Sequence, residues 1–225
     1  MVHKIRAASL SLTAAVVLAG CGGGGGGSSP APQQNLQTAR MPSQPMDTPS
    51  TMLSATDSSG NVYTVTYSST SGGMAMFGGQ NANTSMIALT VSENGTVIAT
   101  ENSTAYYLTN PYSPLGLSGT TNGTAWTATI TGYTPLPSTL TVGASGPLES
   151  VTYTDGMGAN IGSLTETYTV TADSPNDLFL NVDAAGSING VQETETLTYS
   201  VASDGTVQAL VRAQITVNGT TLTFT

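Results

Sequence analysis

The chain has 225 residues and a formal net charge of −9, with 13 acidic side chains against four lysines and arginines and one histidine. Because two of the four cations and His3 lie in the first six residues, the rest of the chain cannot neutralise phosphates and is not expected to bind nucleic acid. Apart from the thiol of Cys21, it also lacks the imidazole, amine and thiol groups on which nucleophilic triads, zinc sites and phosphate-binding loops depend.

The first 20 residues have the organisation of an export leader. Lys4 and Arg6 give it a charged start, and the mostly apolar run 7–19 follows them. A permanent transmembrane helix needs about 20 mainly apolar residues, whereas this run is shorter and is interrupted by hydroxyl side chains. The sequence therefore predicts a signal peptide over 1–20.

The leader ends in Leu18-Ala19-Gly20-Cys21, and this motif resembles the lipobox of bacterial lipoprotein precursors. The resemblance covers the first 21 residues. It implies that the Cys21 thiol receives a diacylglyceryl group, that the leader is cut off before it, and that the new amino terminus takes a fatty acid such as palmitate. Gly22, where an aspartate would resemble an inner-membrane retention signal, implies the outer membrane, on either its periplasmic or its exterior face. The alternative is an ordinary secretory leader.

Residues 21–56 are expected to form a lipid-anchored, disordered tether. Six glycines follow Cys21, and the next stretch is rich in proline and poor in large apolar residues. Such a segment cannot bury enough apolar surface to offset the entropy lost on ordering.

Residues 57–225 are expected to form a single all-β domain. Apolar and polar residues alternate repeatedly, as in Val62 to Tyr67 and Ser163 to Val170, and Asn-Gly or Asp-Gly pairs separate these runs. Such pairs supply the positive φ of tight hairpins, so we predict an antiparallel meander of roughly ten strands. We favour a soluble barrel over a β-sandwich, because a closed sheet leaves no edges and few lysines are present to protect them.

The last hairpins allow residue pairs to be predicted. A three-residue loop 203–205 would pair Val201 with Val207, Tyr199 with Ala209 and Leu197 with Val211, which keeps the apolar side chains on one face. A two-residue turn at Asn218-Gly219 would pair Ile215 with Leu222 and Ala213 with Phe224.

Tyr106, Tyr107 and Tyr112, with Trp126, are the candidate ligand-binding residues. Tyrosine and tryptophan offer rigid contact area with a polar group, and loops on a β scaffold often carry recognition. The structural alternative is that Trp126 belongs to the core and that the tyrosines line a sheet face.

Glu193 and Glu195 are the candidate acids of a glycan hydrolase, since residues two apart emerge on the same face of a strand. The predicted register places them at a solvated rim, where a structural role is favoured over catalysis. Neither a metal nor another cofactor is expected, although acidic loops such as 173–177 contain oxygen ligands of the kind that calcium prefers.

The sequence thus predicts a lipid-anchored protein of the cell envelope, in contact with the membrane through its anchor, whose β domain is non-catalytic and binds a protein or glycan partner or has a structural role. Alternatives are a carboxylate-dependent glycan hydrolase and a surface adhesin.

Overall fold

A computed structural model describes residues 33–35, 48–137, 139–174, 177–201, 207–217 and 220–225. Cys21, the predicted signal peptide and most of the predicted tether lie outside these ranges, as do the turns at Asp204-Gly205 and Asn218-Gly219.

The described residues form strands joined by turns and loops. The strands are β1 (Gln33–Asn35), β2 (Thr48–Thr56), β3 (Val62–Phe77), β4 (Gln80–Glu93), β5 (Thr96–Thr109), β6 (Tyr112–Thr121), β7 (Thr124–Tyr133), β8 (Thr139–Thr141), β9 (Ser145–Asp155), β10 (Asn160–Ser174), β11 (Asp177–Ile188), β12 (Val191–Val201), β13 (Val207–Val217) and β14 (Thr220–Phe224). No helix in the described part of the chain has the length and apolar character needed to cross a membrane.

Twelve of these strands form one antiparallel sheet that is nearly closed into a barrel. Consecutive strands are neighbours from β2 to β7 and from β9 to β14, with β7 beside β9. The two ends meet where the Ser54 N–H donates to the Thr225 carbonyl at 3.1 Å and the Thr225 N–H donates to the Ser54 carbonyl at 3.0 Å. The predicted all-β barrel is confirmed, and its wall has twelve strands where roughly ten were predicted. β1 and β8 pair separately.

The wall begins earlier in the chain than predicted. β2 starts at Thr48 and pairs with β3 through Thr56. The predicted domain start at residue 57 had assigned these nine residues to the tether. They alternate too weakly to be recognised alone, and their place in the sheet depends on the pairing with β3.

Asn-Gly pairs form tight turns where the structure describes them. Asn94, Asn122 and Asn189 have φ of 51°, 50° and 51°. Asp155-Gly156 instead starts a longer loop, in which Asp155 Oδ1 accepts from the N–H groups of Met157 and Ala159 at 2.9 Å.

The pairing of β12 with β13 is partly as predicted. Val201 lies opposite Val207, but Tyr199 pairs with Leu210 and Leu197 with Ala213, so the other two predicted pairs are wrong. Two register irregularities fall between these residues, and each bulge inserts an unpaired residue that turns the following side chains over. Consequently Val211, predicted in the core, is 38% exposed.

The final hairpin has the predicted register, with Ile215 opposite Leu222 and Ala213 opposite Phe224. The inward side chains of the whole wall form two clusters. The larger one includes Leu89, Leu180 and Leu197, and the smaller one surrounds Trp126 and Tyr153.

Candidate functional site

Five of the six glutamates of the chain lie inside the barrel. Each occupies an inward position on its strand, and Glu166 lies there between Leu164 and Tyr168. Their exposed fractions are 1% for Glu101, 4% for Glu149, 0% for Glu166 and 2% for both Glu193 and Glu195. Among the described residues the one cation is Arg212, and it is exposed. The interior of the described barrel therefore contains carboxyl groups without a positive side chain to balance them.

Two of these carboxyl groups face each other across neighbouring strands. Glu149 on β9 pairs with Glu166 on β10, and a register shift follows directly, because Thr167 pairs with Pro147. The shift gives β9 one extra residue, so Leu148 and Glu149 are both buried although they are consecutive. Alternation with Val151 and Tyr153 places Glu149 inward, opposite Glu166, and the bulge turns Leu148 inward beside it.

Burial raises the pKa of three of the interior carboxyl groups, those of Glu101, Glu149 and Glu166. It raises the pKa of Glu166 to about 8 and that of Glu101 well above its usual range. Burial and the neighbouring charge of Glu166 raise the pKa of Glu149 in the same direction. Both Glu166 oxygens and the Tyr199 hydroxyl make no hydrogen bond to other described residues. A pKa of about 8 leaves Glu166 largely protonated at neutral pH, and the pKa values of Glu101 and Glu149 shift in the same direction.

The predicted rim location of Glu193 and Glu195 is wrong. Both side chains are enclosed by the wall, opposite Val217 and Ile215. The sequence carried the signal for this location, because both glutamates share the alternating face of Leu197 and Tyr199. The same signal marks Glu101, Glu149 and Glu166, which sequence reasoning did not select.

The outer face of the wall carries a groove of about 730 Å³ across β3 to β7. Its floor consists of two cross-strand rows of outward side chains, and its lining includes no charged residue. One row consists of Thr70, Met86, Thr104, Ser118 and Thr127. The other row consists of Ser68, Ala88, Asn102, Thr120 and Ala125. Apart from Met86 these side chains are short, which leaves the depression open.

An aromatic pair stands beside this groove. Tyr106 follows Thr104 on the outward face, and its hydroxyl lies 3.0 Å from the Ser118 hydroxyl. Its ring stacks on Phe77 with the centroids 4.5 Å apart. The Phe77 ring in turn covers Gly116, where an added Cβ would lie 2.6 Å from the ring. Tyr106 is thereby held against the groove.

The four predicted ligand-binding residues do not form one surface. Tyr107 is buried inside the barrel, and its ring lies 6.0 Å from that of Tyr112, which also contacts Tyr133. Trp126 contributes to the groove lining, but its side chain is buried and lies 6.1 Å from the Tyr153 ring. Tyr106 therefore lies beside the groove, whereas Tyr107 and Trp126 belong to the core.

A buried hydrogen-bond chain links Trp126 to one of the interior acids. The indole Nε1 donates to Thr121 Oγ1 at 3.0 Å, and that hydroxyl donates to Glu101 Oε2 at 3.0 Å. Thr121 thus accepts and donates at once, which one hydroxyl can do.

Replacing Thr121 by valine is expected to lower the free energy of unfolding by about 2 kcal/mol, because the shape is kept while the buried indole N–H loses this acceptor. Urea unfolding of the full chain measures the change. Thr129→Val, an exposed position on β7, is the matched control and should change stability by less than about 0.5 kcal/mol. Equal effects of the two variants would contradict a stabilising role for the chain of hydrogen bonds.

Comparison of the chain with protein-family models, with curated proteins and with solved structures finds no match. Within the described residues, no group of three or more histidine, cysteine, aspartate or glutamate side chains is arranged to hold a metal ion.

Proposed function

We propose that this protein is a lipid-anchored component of the bacterial cell envelope that binds a partner in the groove on β3 to β7, without catalysis. The observation that carries the proposal is the groove itself, a concave area formed by ten outward residues of the barrel wall. Binding sites in proteins are typically concave surfaces of this volume.

The distribution of carboxyl groups supports a binding role over hydrolysis. A hydrolase of the two-carboxylate type must bring both acids to the scissile bond. Here Glu149, Glu166, Glu193 and Glu195 are all enclosed by the wall, and the groove lining contains no acid. The groove offers hydroxyl, amide and methyl contacts, which suit recognition.

The membrane part of the proposal depends on Cys21. Several acyl chains on one residue would hold the protein firmly, since each buried methylene contributes about 0.8 kcal/mol to membrane affinity. We assign the anchor to the outer membrane from the residue that follows the cysteine.

Cells that express the full chain and are fed labelled palmitate are expected to incorporate label into the protein, and Cys21→Ala should abolish the incorporation. Fractionation should place the labelled protein in the outer membrane. Ser28→Ala, in the same segment, is a control that should keep the label. Label that persists in Cys21→Ala, or a mature protein that retains residues 1–20, would contradict the anchor.

A further inference from the structure

The chemistry of the groove identifies the class of molecule that it fits. We infer that the groove on β3 to β7 binds an uncharged glycan chain, an inference that rests on the proposed function and specifies its ligand.

Hydroxyl groups are the commonest polar groups of the groove, beside its methyl and other apolar surface. Ser68, Thr70, Thr104, Ser118, Thr120 and Thr127 all contribute, and Asn102 adds an amide near the middle. Each hydroxyl can donate one hydrogen bond and accept two, and the amide can do both. Sugar hydroxyl groups also donate and accept, so a glycan can pair with this lining at many points. A purely apolar ligand would leave these groups without partners, at a cost for each.

The absence of charge from the lining argues against ionic ligands. A charged group that leaves water needs an opposite charge or several hydrogen bonds to compensate for its lost hydration. No acid or base lines the groove, and the nearest buried acid, Glu101, lies on the inner face. An anionic or cationic polymer would therefore bind less well here than a neutral one.

The sheet also disfavours an extended peptide. At the groove, β4, β5 and β6 each have a hydrogen-bonded neighbour on both sides, so a peptide backbone has no strand edge to join in the middle of the groove. The ten outward side chains of its floor include one large apolar group, Met86, so the groove offers few of the apolar contacts that anchor a peptide side chain.

The dimensions fit a short stretch of polymer. Each row crosses five strands, which corresponds to about 19 Å along the groove. Tyr106 stands at the side of one row, its hydroxyl bonded to Ser118 and its ring supported by Phe77. A rigid aromatic group with a polar end, placed beside hydroxyl groups, suits the mixed apolar and polar surface of a sugar.

The test uses the full-length acylated protein in detergent and two substitutions of exposed alanines. Ala88→Tyr places a large side chain in the middle of the groove. Ala185→Tyr makes the same change at an outward position on β11, outside the groove. Asn102→Asp is a second groove variant that adds a charge with little change in volume. Thermal unfolding of all variants shows whether they fold.

Binding is measured on immobilised dextran, mannan, galactan and xylan, with dextran sulfate and diethylaminoethyl-dextran as charged counterparts. The wild type and Ala185→Tyr should bind at least one uncharged polymer, and Ala88→Tyr and Asn102→Asp should each lower its affinity by about tenfold or more. Retention by none of the uncharged polymers, or stronger retention by the charged ones, would overturn the inference.

A parallel measurement on envelope fragments from the native host separates the two proposals. If retention depends on the groove, is lost after periodate oxidation and survives protease, both proposals are supported. Groove-dependent retention that survives periodate but not protease would overturn the inference that the ligand is a glycan and would leave the proposed binding function in place. Equal retention of Ala88→Tyr and Ala185→Tyr would overturn the proposed function itself.

Discussion

Replacing Glu166 by glutamine is expected to raise the free energy of unfolding by about 3 kcal/mol at pH 7.5 and to leave it almost unchanged at pH 4.5. The Glu166 side chain is fully buried, faces Glu149, and makes no hydrogen bond to other described residues. Glutamine has the shape of the protonated acid and cannot ionise. The variant therefore removes the cost of keeping a proton on this group at neutral pH.

The direction follows from the two protonation equilibria. Burial raises the pKa of Glu166 from its ordinary value of 4.5 to about 8 in the folded protein. At a pH between these values the unfolded chain has released the proton and the folded chain still holds it. The contribution of the protonated Glu166 to the free energy of unfolding is complete below about pH 4.5 and is lost as the pH rises through about 8. The wild-type barrel is therefore most stable in mild acid.

Urea unfolding at several pH values between 4.5 and 8 measures this dependence. The slope of stability against pH should be smaller for Glu166→Gln than for the wild type, and Glu149→Gln should have a similar effect because its carboxyl group faces Glu166. Asp183→Asn is the matched control, since this carboxylate lies on the outer face and accepts a hydrogen bond from Thr196. A wild-type stability that does not fall between pH 5 and 8 would contradict the prediction.

Replacing Gly186 by alanine is expected to lower the free energy of unfolding by about 3 kcal/mol or more. An added Cβ would overlap the Ser163 carbonyl oxygen and lie 3.0 Å from Leu164 Cα. Both are backbone atoms of the neighbouring strand β10, so no side-chain rotation can relieve the overlap. The two strands would have to separate beside Glu193, which pairs with Gly186.

Gly132→Ala is the control for this substitution. Gly132 lies on β7, has no positive φ, and has no atom within 4 Å of an added Cβ. Alanine there should be neutral or stabilise by up to about 1 kcal/mol, because it restricts the unfolded chain. Urea unfolding of both variants gives the comparison, and equal stabilities would show that β10 and β11 can separate at little cost.

Much of the fold could be predicted because its determinants are local. Alternation identifies the first part of β3, from Val62 to Tyr67, and Asn-Gly pairs identify turns such as Asn94-Gly95, because both signals act within a few residues. The positions of bulges could not be predicted in this way. Whether Tyr199 faces Ala209 or Leu210 depends on how β13 packs against β12 and β14, and a bulge reverses every side chain that follows it.

The interior acids illustrate two rules in conflict. Alternation places Glu193 and Glu195 on the face of Leu197, whereas the general preference of carboxylates for water places them at a rim. Alternation prevails here, because turning the strand over would expose Leu197 and Tyr199. The groove could not be predicted from the sequence, for a different reason. Thr70, Thr104 and Thr127 become neighbours only when the registers of four strand pairs are known.

Protonation of the enclosed acids also changes how the molecule interacts with ions at a distance. The formal charge of −9 counts every glutamate as ionised, whereas the raised pKa values of Glu101, Glu149 and Glu166 reduce the negative charge that these groups carry in the folded protein. Near neutral pH the folded molecule should therefore have a smaller net negative charge than its unfolded chain. Its weaker field would also let polyanions on the cell surface approach more closely than the amino-acid count suggests.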